Sequence, residues 1–430
     1  MLSRRHLVAL VDVAGERVLA GADGRLPELE ERWPSHRDLV AAVGDPGAVL
    51  VAPPVREDDG TVVDVLAWSG GATAVGMSWR GADEVDLASG AAATTLRARV
   101  GELLSGLVPD DGREPWFALG WVDEVDAWVD GVVGGLGLER SGPRELVKVW
   151  SLSAVARFAV RAPDGVERDL WFKATCAGFR AEPVLTAWVA ALDPAIAPGM
   201  VGLDPERAWM LLEAFPESED DPTLDQVADV AAALARLQLA SRDQVASLRA
   251  AGAPDRGLAA TVAGLRRVVE RGVEGPTMTD EQRAAAVDVE PWLVEQVTTL
   301  HGLGLPLTLV HGDLHLGNVT WSGGAPLLFD WTDACVAHPF LDARHLGFSA
   351  AHHLGPVGEE AVRGAYLDVW RSAYPGLDVD RAWELSEVGD RVFTLVSYEG
   401  IYLAQPAWGR WELATISVEL IDRLVALRPR

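Results

Sequence analysis

The sequence predicts an α+β protein with a small antiparallel β-lobe and a large helical lobe, preceded by a small α+β domain. Three observations carry this prediction. Strand-like runs follow one another between residues 144 and 174, with tight turn signals between them. From Leu224 onward the apolar pattern is almost wholly helical, apart from 307–333. Residues 1–110 show short strand-like runs separated by Gly and Asp.

Residues 1–110 read as one unit. Its strands are expected at Leu7–Val13, Ala48–Ala52, Val62–Trp68 and Thr73–Trp79. A helix is expected over Thr94–Leu107, with Leu96, Val100, Leu103 and Leu107 on one face. The strand and helix order is similar to a Nudix fold. The glutamate-rich metal motif of that fold is absent, because ELEERW at residues 28–33 is too short and lacks the following glycines. This domain is therefore assigned no chemistry.

Val108–Pro115 is a polar linker. Residues 111–216 then form the β-lobe with a leading helix. Trp121, Val125, Trp128, Val132 and Leu136 recur at helical spacing, a stripe that reads as core. The lobe's strands are LVKVW, VARFAV and DLWFKAT, with the turn APDG at Ala162–Gly165 before the last. A helix begins near Glu182, where Pro183 sits in a first turn that needs no N–H. WMLLEAF at Trp209–Phe215 reads as a buried strand that ends in polar PESEDD. Residues 217–430 form the helical lobe.

Composition narrows the function. A chain of 430 residues holds two or three domains with ordinary cores. A formal charge of −27 repels phosphate backbones, which argues against a nucleic-acid partner. No run approaches the length of a membrane span. Asp12 interrupts the apolar N-terminal run, which reads as a strand and not as a secretion signal. Cys176 and Cys335 offer neither a disulfide framework nor metal-site spacing, and a reducing cytoplasm fits. Of 37 basic residues only Lys148 and Lys173 are lysines, so each lysine needs a reason. The sequence carries no signal for an oligomeric state.

The chemistry lies in His311–Asn318, HGDLHLGN, followed by LLFDW with Asp330. Phosphoryl transfer asks a protein mainly for positioning and charge neutralisation. Mg²⁺ wants hard oxygen ligands, and an acceptor hydroxyl needs a nearby carboxylate. One loop can serve both needs, with Asp313 facing the acceptor and the Asn318 amide oxygen facing a metal. A strand would return Asp330 as a second ligand. The apolar LTLV and LLF segments anchor the two pieces.

This pattern resembles the aminoglycoside phosphotransferase and choline kinase family, relatives of protein kinases. The resemblance is strong over residues 311–331, moderate over 144–192 and thin elsewhere from about 140 to 430. It does not extend to 1–110. It implies a protein-kinase-like fold, ATP and Mg as cofactors, Asp313 as the catalytic aspartate, and Asn318 and Asp330 as metal ligands. It also implies that Lys173, on the third strand, contacts the ATP phosphates, whereas Lys148 reads as surface or packing. Glu182 is the candidate helix glutamate partnering the lysine, with a helix N-cap as the other reading. A serine-bearing loop with Ser151 and Ser153 would cover the phosphates in place of glycines. WMLLEAF resembles the hinge beside adenine, with Glu213 to Phe215 as backbone partners, or is an ordinary buried strand. Asp342 in HPFLD would brace the catalytic loop. His311 and His315 read as structural, and Asp333 as a turn cap or a metal or substrate contact.

The implied activity is transfer of the γ-phosphoryl group of ATP to a hydroxyl of a small molecule of sugar, aminoglycoside or amino alcohol type. The acceptor would lie among Arg391–Trp411, with Tyr398, Glu399, Tyr402, Trp408 and Trp411, although these residues also read as core. Two alternatives stand. A protein-binding pseudokinase is opposed by the complete Lys173, Asp313, Asn318 and Asp330 set. A protein kinase is opposed by the short Asp330–Pro339 spacing, which leaves no room for an activation segment.

Overall fold

Alternation of apolar residues builds the first sheet. In this computed structural model the described residues are 4–31, 34–56, 59–81, 84–85, 91–105, 112–216, 222–271, 278–413 and 416–429. They form two compact units, Met1–Cys176 with Gln405–Glu412, and Ala177–Ala404 with Leu413–Arg430.

The first unit opens with β1 (Arg4–Asp12), β2 (Arg17–Gly21), β3 (Glu28–Glu31), α1 (His36–Val43), β4 (Val49–Leu50), β5 (Val55–Arg56), β6 (Val62–Ala67), β7 (Met77–Gly81) and α2 (Ala91–Leu104). The strands make one seven-stranded sheet in which β1 runs parallel to β6 and antiparallel to β2 and β3. Leu7, Ala9 and Val11 join Val63, Val65 and Ala67 with Leu96 and Val100 of α2 in one apolar core. On the other face of β1 and β6, His6 Nδ1 lies 2.7 Å from Asp64 Oδ2, which pairs two buried polar side chains. Two expected strands are shorter than the sequence suggests. Ala48–Ala52 yields only Val49–Leu50, because Pro53 and Pro54 cannot continue a ladder. The strand expected from Thr73 begins at Met77, after Gly70 and Gly76 turn the chain at positive φ. The expected linker residues Val108–Asp111, together with Leu107, Arg32 and Trp33, lie outside the described residues.

The same unit continues with α3 (Trp121–Gly135), β8 (Glu139–Arg140), β9 (Glu145–Val149), β10 (Ser153–Arg161) and β11 (Glu167–Thr175). The three strands expected between 144 and 174 are present, and β10 pairs antiparallel with β8, β9 and β11. Ala154, Ala156, Phe158 and Val160 alternate inward, as do Leu170, Phe172 and Ala174. The buried line of α3 is Trp121, Val125, Val129 and Val133; Trp128 and Val132 are half-buried and Leu136 is exposed. A strict spacing of four advances about 40° per step on an α-helix, so the buried line winds around α3 and departs from the one-face stripe that the sequence predicts. The aromatic stripe is core, with Trp121 and Trp128 at 6.1 and 6.0 Å from the Phe172 ring.

The second unit contains α4 (Glu182–Leu192), β12 (Met200–Asp204), β13 (Trp209–Glu213), α5 (Leu224–Ser241), α6 (Val245–Ala250), α7 (Leu258–Arg271) and α8 (Asp280–Gly302). It continues with β14 (Thr308–Val310), β15 (Val319–Ser322), β16 (Ala325–Leu328), β17 (Cys335–Ala337), α9 (Phe340–Leu354), α10 (Pro356–Ala373), α11 (Val379–Ala404) and α12 (Ile416–Leu427). Capping boxes at Thr223 with Gln226 and at Thr279 with Gln282 start α5 and α8. Residues 217–221 of the polar PESEDD segment lie outside the described residues. The main core joins Leu234, Val310, Leu314, Leu328, Trp331, Phe340, Tyr366 and Trp370. The short strands β14 to β17 thus rest on buried helices, which is what a precise site requires. Among the described residues no helix is long and apolar enough to cross a membrane.

Candidate active site

The loop His311–Asn318 leaves β14, which pairs antiparallel with β17. Gly312 has φ +87°, and a Cβ there would stand 2.3 Å from the Asp333 carbonyl oxygen, so only glycine fits this turn. Asp342, in the first turn of α9, accepts the His311 N–H at 2.7 Å and the Gly312 N–H at 2.9 Å. Gln238 of α5 donates to Asp342 at 3.3 Å and to the Pro339 carbonyl at 3.0 Å, and accepts the Tyr366 hydroxyl at 2.7 Å. The brace expected of Asp342 is therefore present, backed by a buried network that reaches α5 and α10. Burial pushes the Asp342 carboxyl up, against the pull of His311 and the two N–H groups. The His311 ring is buried and its Nε2 meets the Phe329 carbonyl at 2.9 Å, a structural role.

Asp313 is partly open to solvent. Its Oδ1 lies 3.4 Å from His345 Nε2, and its Oδ2 lies 3.8 Å from His315 Nε2. His315 is held by the Gly317 N–H, which donates to its Nδ1 at 3.0 Å. Burial pushes the Asp313 carboxyl up, but the His345 contact and the charges of His345, His315 and His311 outweigh it. Asp313 is thereby held below the usual carboxylate range and stays ionised at neutral pH. His345 belongs to α9, and its Nδ1 lies 3.2 Å from Asp390 Oδ1 of α11. Sequence reasoning missed both His345 and Asp390, since a lone histidine on a helix gives no periodic or motif signal.

The Asn318 amide donates through Nδ2 to the Asp313 carbonyl at 2.9 Å, which leaves its Oδ1 as an acceptor. The Phe329 N–H donates to the Asn318 carbonyl at 3.1 Å, so the register of the β15–β16 hairpin puts Asn318 and Asp330 at its same end. Asp330 sits at φ 63° and ψ 62°, a left-handed conformation uncommon outside glycine. It is exposed between two anchors. Phe329 stacks on Phe215 at 4.7 Å, and Trp331 is buried with its Nε1 donating to the Leu328 carbonyl at 3.2 Å. The Thr332 hydroxyl donates to Asp330 Oδ1. An amide oxygen and a carboxylate are the hard donors that a Mg²⁺ ion carrying waters and phosphates takes from a protein. The described residues hold no cluster of three or more His, Cys, Asp or Glu side chains that could fix a metal alone.

The remaining expected residues divide between the units. Lys173 lies on β11 between inward-facing Phe172 and Ala174, opposite Val155 of β10. Lys148 also faces Val155 from β9, with its ammonium 3.7 Å over the Trp150 ring, which fits its packing role. Ser151 departs from expectation. Ser151 is fully buried, its hydroxyl donating to Glu412 and accepting from Gln405 at 2.5 Å. Ser153 accepts the Trp150 indole N–H at 2.8 Å. The Ser151 hydroxyl is committed inside the first unit because residues 405–412 return to it, whereas Ser153 only accepts in its contact with Trp150, which does not use its O–H donor. Burial pushes the Glu412 carboxyl up to about 7 against the Ser151 contacts.

In the second unit Glu182 is buried at the first residue of α4, and the cap position belongs to Ala181. Glu213 is exposed at the end of β13, with its N–H already given to the Gly199 carbonyl at 2.8 Å. A hinge contact there would use the Glu213 carbonyl and the Phe215 backbone. Tyr398 of α11 feels Asp313 and Asp333, and burial and these charges push its phenol up. Glu399 and Tyr402 are buried. Trp408 and Trp411, expected near the acceptor, belong to the first unit. Trp408 packs on Phe117 at 5.3 Å; the Trp411 indole donates to the Pro54 carbonyl at 3.3 Å under Arg4.

A sequence model described as the phosphotransferase enzyme family (APH) matches residues 167–383. Comparison with curated proteins found no match. Among solved structures, the chain is similar to a candidate fructosamine-3-kinase of Thermobifida fusca YX-ER1 (19% identity, 71% of this chain and 99% of that one, TM-score 0.46). It is also similar to a type I macrolide 2′-phosphotransferase (18%, 70% and 97%, TM-score 0.46). A choline/ethanolamine kinase family protein of Mesorhizobium loti is a third (16%, 72% and 95%, TM-score 0.44). The fold is α+β and protein-kinase-like, with an antiparallel β-lobe, a helical lobe and a preceding α+β domain.

Proposed function

We propose, for a chain that belongs to the phosphotransferase enzyme family, that it moves the γ-phosphoryl group of ATP to a hydroxyl of a small molecule. The observation that carries this reading is the braced loop: an ionised Asp313 and the Asn318 amide share one rigid turn, and the adjoining hairpin brings Asp330 to the end where Asn318 lies. Asp313 orients the acceptor hydroxyl and takes its proton as the oxygen attacks phosphorus. Asn318 and Asp330 would hold Mg²⁺, which when bound neutralises charge on the phosphate oxygens. Lys173 is assigned to the phosphates, Glu182 to the place of the family's helix glutamate, and the Glu213–Phe215 backbone to the base. With the Ser151 hydroxyl engaged, cover of the phosphates in this loop falls to the Ser153 O–H and to backbone N–H groups. Sugars, aminoglycosides and amino alcohols are the acceptor classes under this reading.

The proposal includes a domain division, with 1–110 as an α+β domain to which no role is assigned, 111–216 as the β-lobe with its leading helix, and 217–430 as the helical lobe. The separate apolar core of the first domain supports it. The test is thermal unfolding of the wild type and Asp330→Ala with Mg-ATP, ATP alone and Mg²⁺ alone. Ligand at 100 times Kd stabilises by about 2.7 kcal/mol. The expected result is a shift that needs both components and is lost in the variant. A well-folded wild type with no shift would instead favour a pseudokinase acting through partners.

A further inference from the structure

His345 stands between two carboxylates from different elements. Its Nε2 is 3.4 Å from Asp313 Oδ1 in the catalytic loop, and its Nδ1 is 3.2 Å from Asp390 Oδ1 in α11. A neutral imidazole has one N–H and cannot donate at both nitrogens, whereas an imidazolium can. Asp390 is buried and its Oδ2 has no hydrogen-bond partner; Arg391 reaches it electrostatically, and His345 is the group that hydrogen-bonds to its Oδ1. The bridge also crosses the fold, since α9 carries both His345 and the Asp342 brace. We propose that His345 is a positioning residue: as an imidazolium anchored by Asp390, it orients the Asp313 carboxylate for proton transfer. This rests on Asp313 being the catalytic carboxylate.

The arrangement explains why two acids sit around one histidine. Asp313 must rotate little if it is to meet an acceptor hydroxyl at hydrogen-bond distance. The Gly312 turn and Asp342 hold its backbone, and His345 holds its side chain. The charged groups facing His345 are Asp390 from α11, Asp313 with His315 beyond it, and Asp342 earlier on α9. Arg344, next to it in sequence, is engaged elsewhere with Glu359 and Glu387. Burial lowers the His345 pKa, but Asp390 and Asp313 raise it further, to about 10.

The experiment pairs ¹⁵N-histidine NMR with phosphate release from Mg-ATP, water serving as acceptor, on wild type, His345→Gln, Asp390→Asn and Asp313→Asn. The His345 resonance, assigned by its loss in His345→Gln, should stay doubly protonated to above pH 8 and titrate lower in Asp390→Asn. Turnover in His345→Gln should fall about tenfold to a hundredfold in kcat with KM for ATP little changed. In Asp390→Asn the rate should acquire a new alkaline limb that follows the lowered histidine titration, which a purely structural role would not produce. A His345 ring that is neutral at pH 7.5 overturns the bridge. A His345→Gln rate within twofold of wild type, with Asp313→Asn inactive, overturns the positioning role and leaves Asp313 standing. An active Asp313→Asn, or a wild type that releases no phosphate, sinks the phosphotransfer reading instead, and the spectrum still decides the bridge.

Discussion

Replacing Asp342 by Asn tests how the loop carrying Asp313 is held. In the wild type one carboxylate takes two backbone N–H groups, from His311 at 2.7 Å and Gly312 at 2.9 Å. Asparagine can accept only one of them, and its NH₂ group then faces the other N–H, donor against donor. A hydrogen bond to a charged group contributes about 1.5–3 kcal/mol, and a stranded buried N–H costs about 1–3 kcal/mol. Burial already presses on the Asp342 charge, so the neutral amide recovers part of that loss. The net expectation is a local destabilisation of about 2–4 kcal/mol, or roughly 30- to 800-fold in an opening equilibrium. Amide hydrogen exchange read by mass spectrometry on peptides spanning β14 and the loop should show that acceleration. Peptides from β1 and β6, in the other unit, should not change. Equal exchange rates in wild type and variant would refute the brace, because two buried amides cannot lose a shared acceptor without cost.

The other predictions are shorter. Asp313→Asn should abolish phosphoryl transfer while keeping Mg-ATP protection against heat, since the variant loses the base and not the proposed ligands; retained transfer would end that assignment. His345 has a folded pKa raised from 6.5 to about 10, so the stability it contributes is complete below about pH 6.5 and lost as pH rises toward 10. Urea midpoints of wild type and His345→Gln should therefore converge as pH rises between those values. Removing residues 1–110 takes away Arg37, which pairs with Glu145, and Pro54, which accepts from Trp411. The shortened chain should melt at lower temperature yet keep its helical unit, by far-UV circular dichroism, because that unit has its own core. Complete loss of helix would show that the first domain is needed for folding.

Much of the site was legible because its residue types are chemically constrained at short range. Asp313, Asn318 and Asp330 lie within eighteen positions on one loop and hairpin, so their proximity is readable from the chain, while the roles proposed for them rest on the family resemblance. Asp342 was legible through the motif around Pro339. The strands of the β-lobe and the helices after Leu224 were legible from periodicity, which depends on neighbours in the chain. The shortened β4 and β7 and the true buried line of α3 were harder, because prolines, positive-φ glycines and packing partners set those limits.

Tertiary structure alone decided which polar groups meet. Ser151 looked available in the sequence, yet a segment more than 250 residues later returns to take its hydroxyl. Trp408 and Trp411 looked like helical-lobe residues, and the same return carries them to the other unit. His345 and Asp390 lie 45 positions apart and meet at Asp313 only because α9 and α11 pack side by side. Sequence by itself determines local conformation and short-range chemistry, since backbone propensity and side-chain periodicity act over a few residues. Charge pairing in a low-dielectric interior depends on distance through space, and only the packed fold sets that distance.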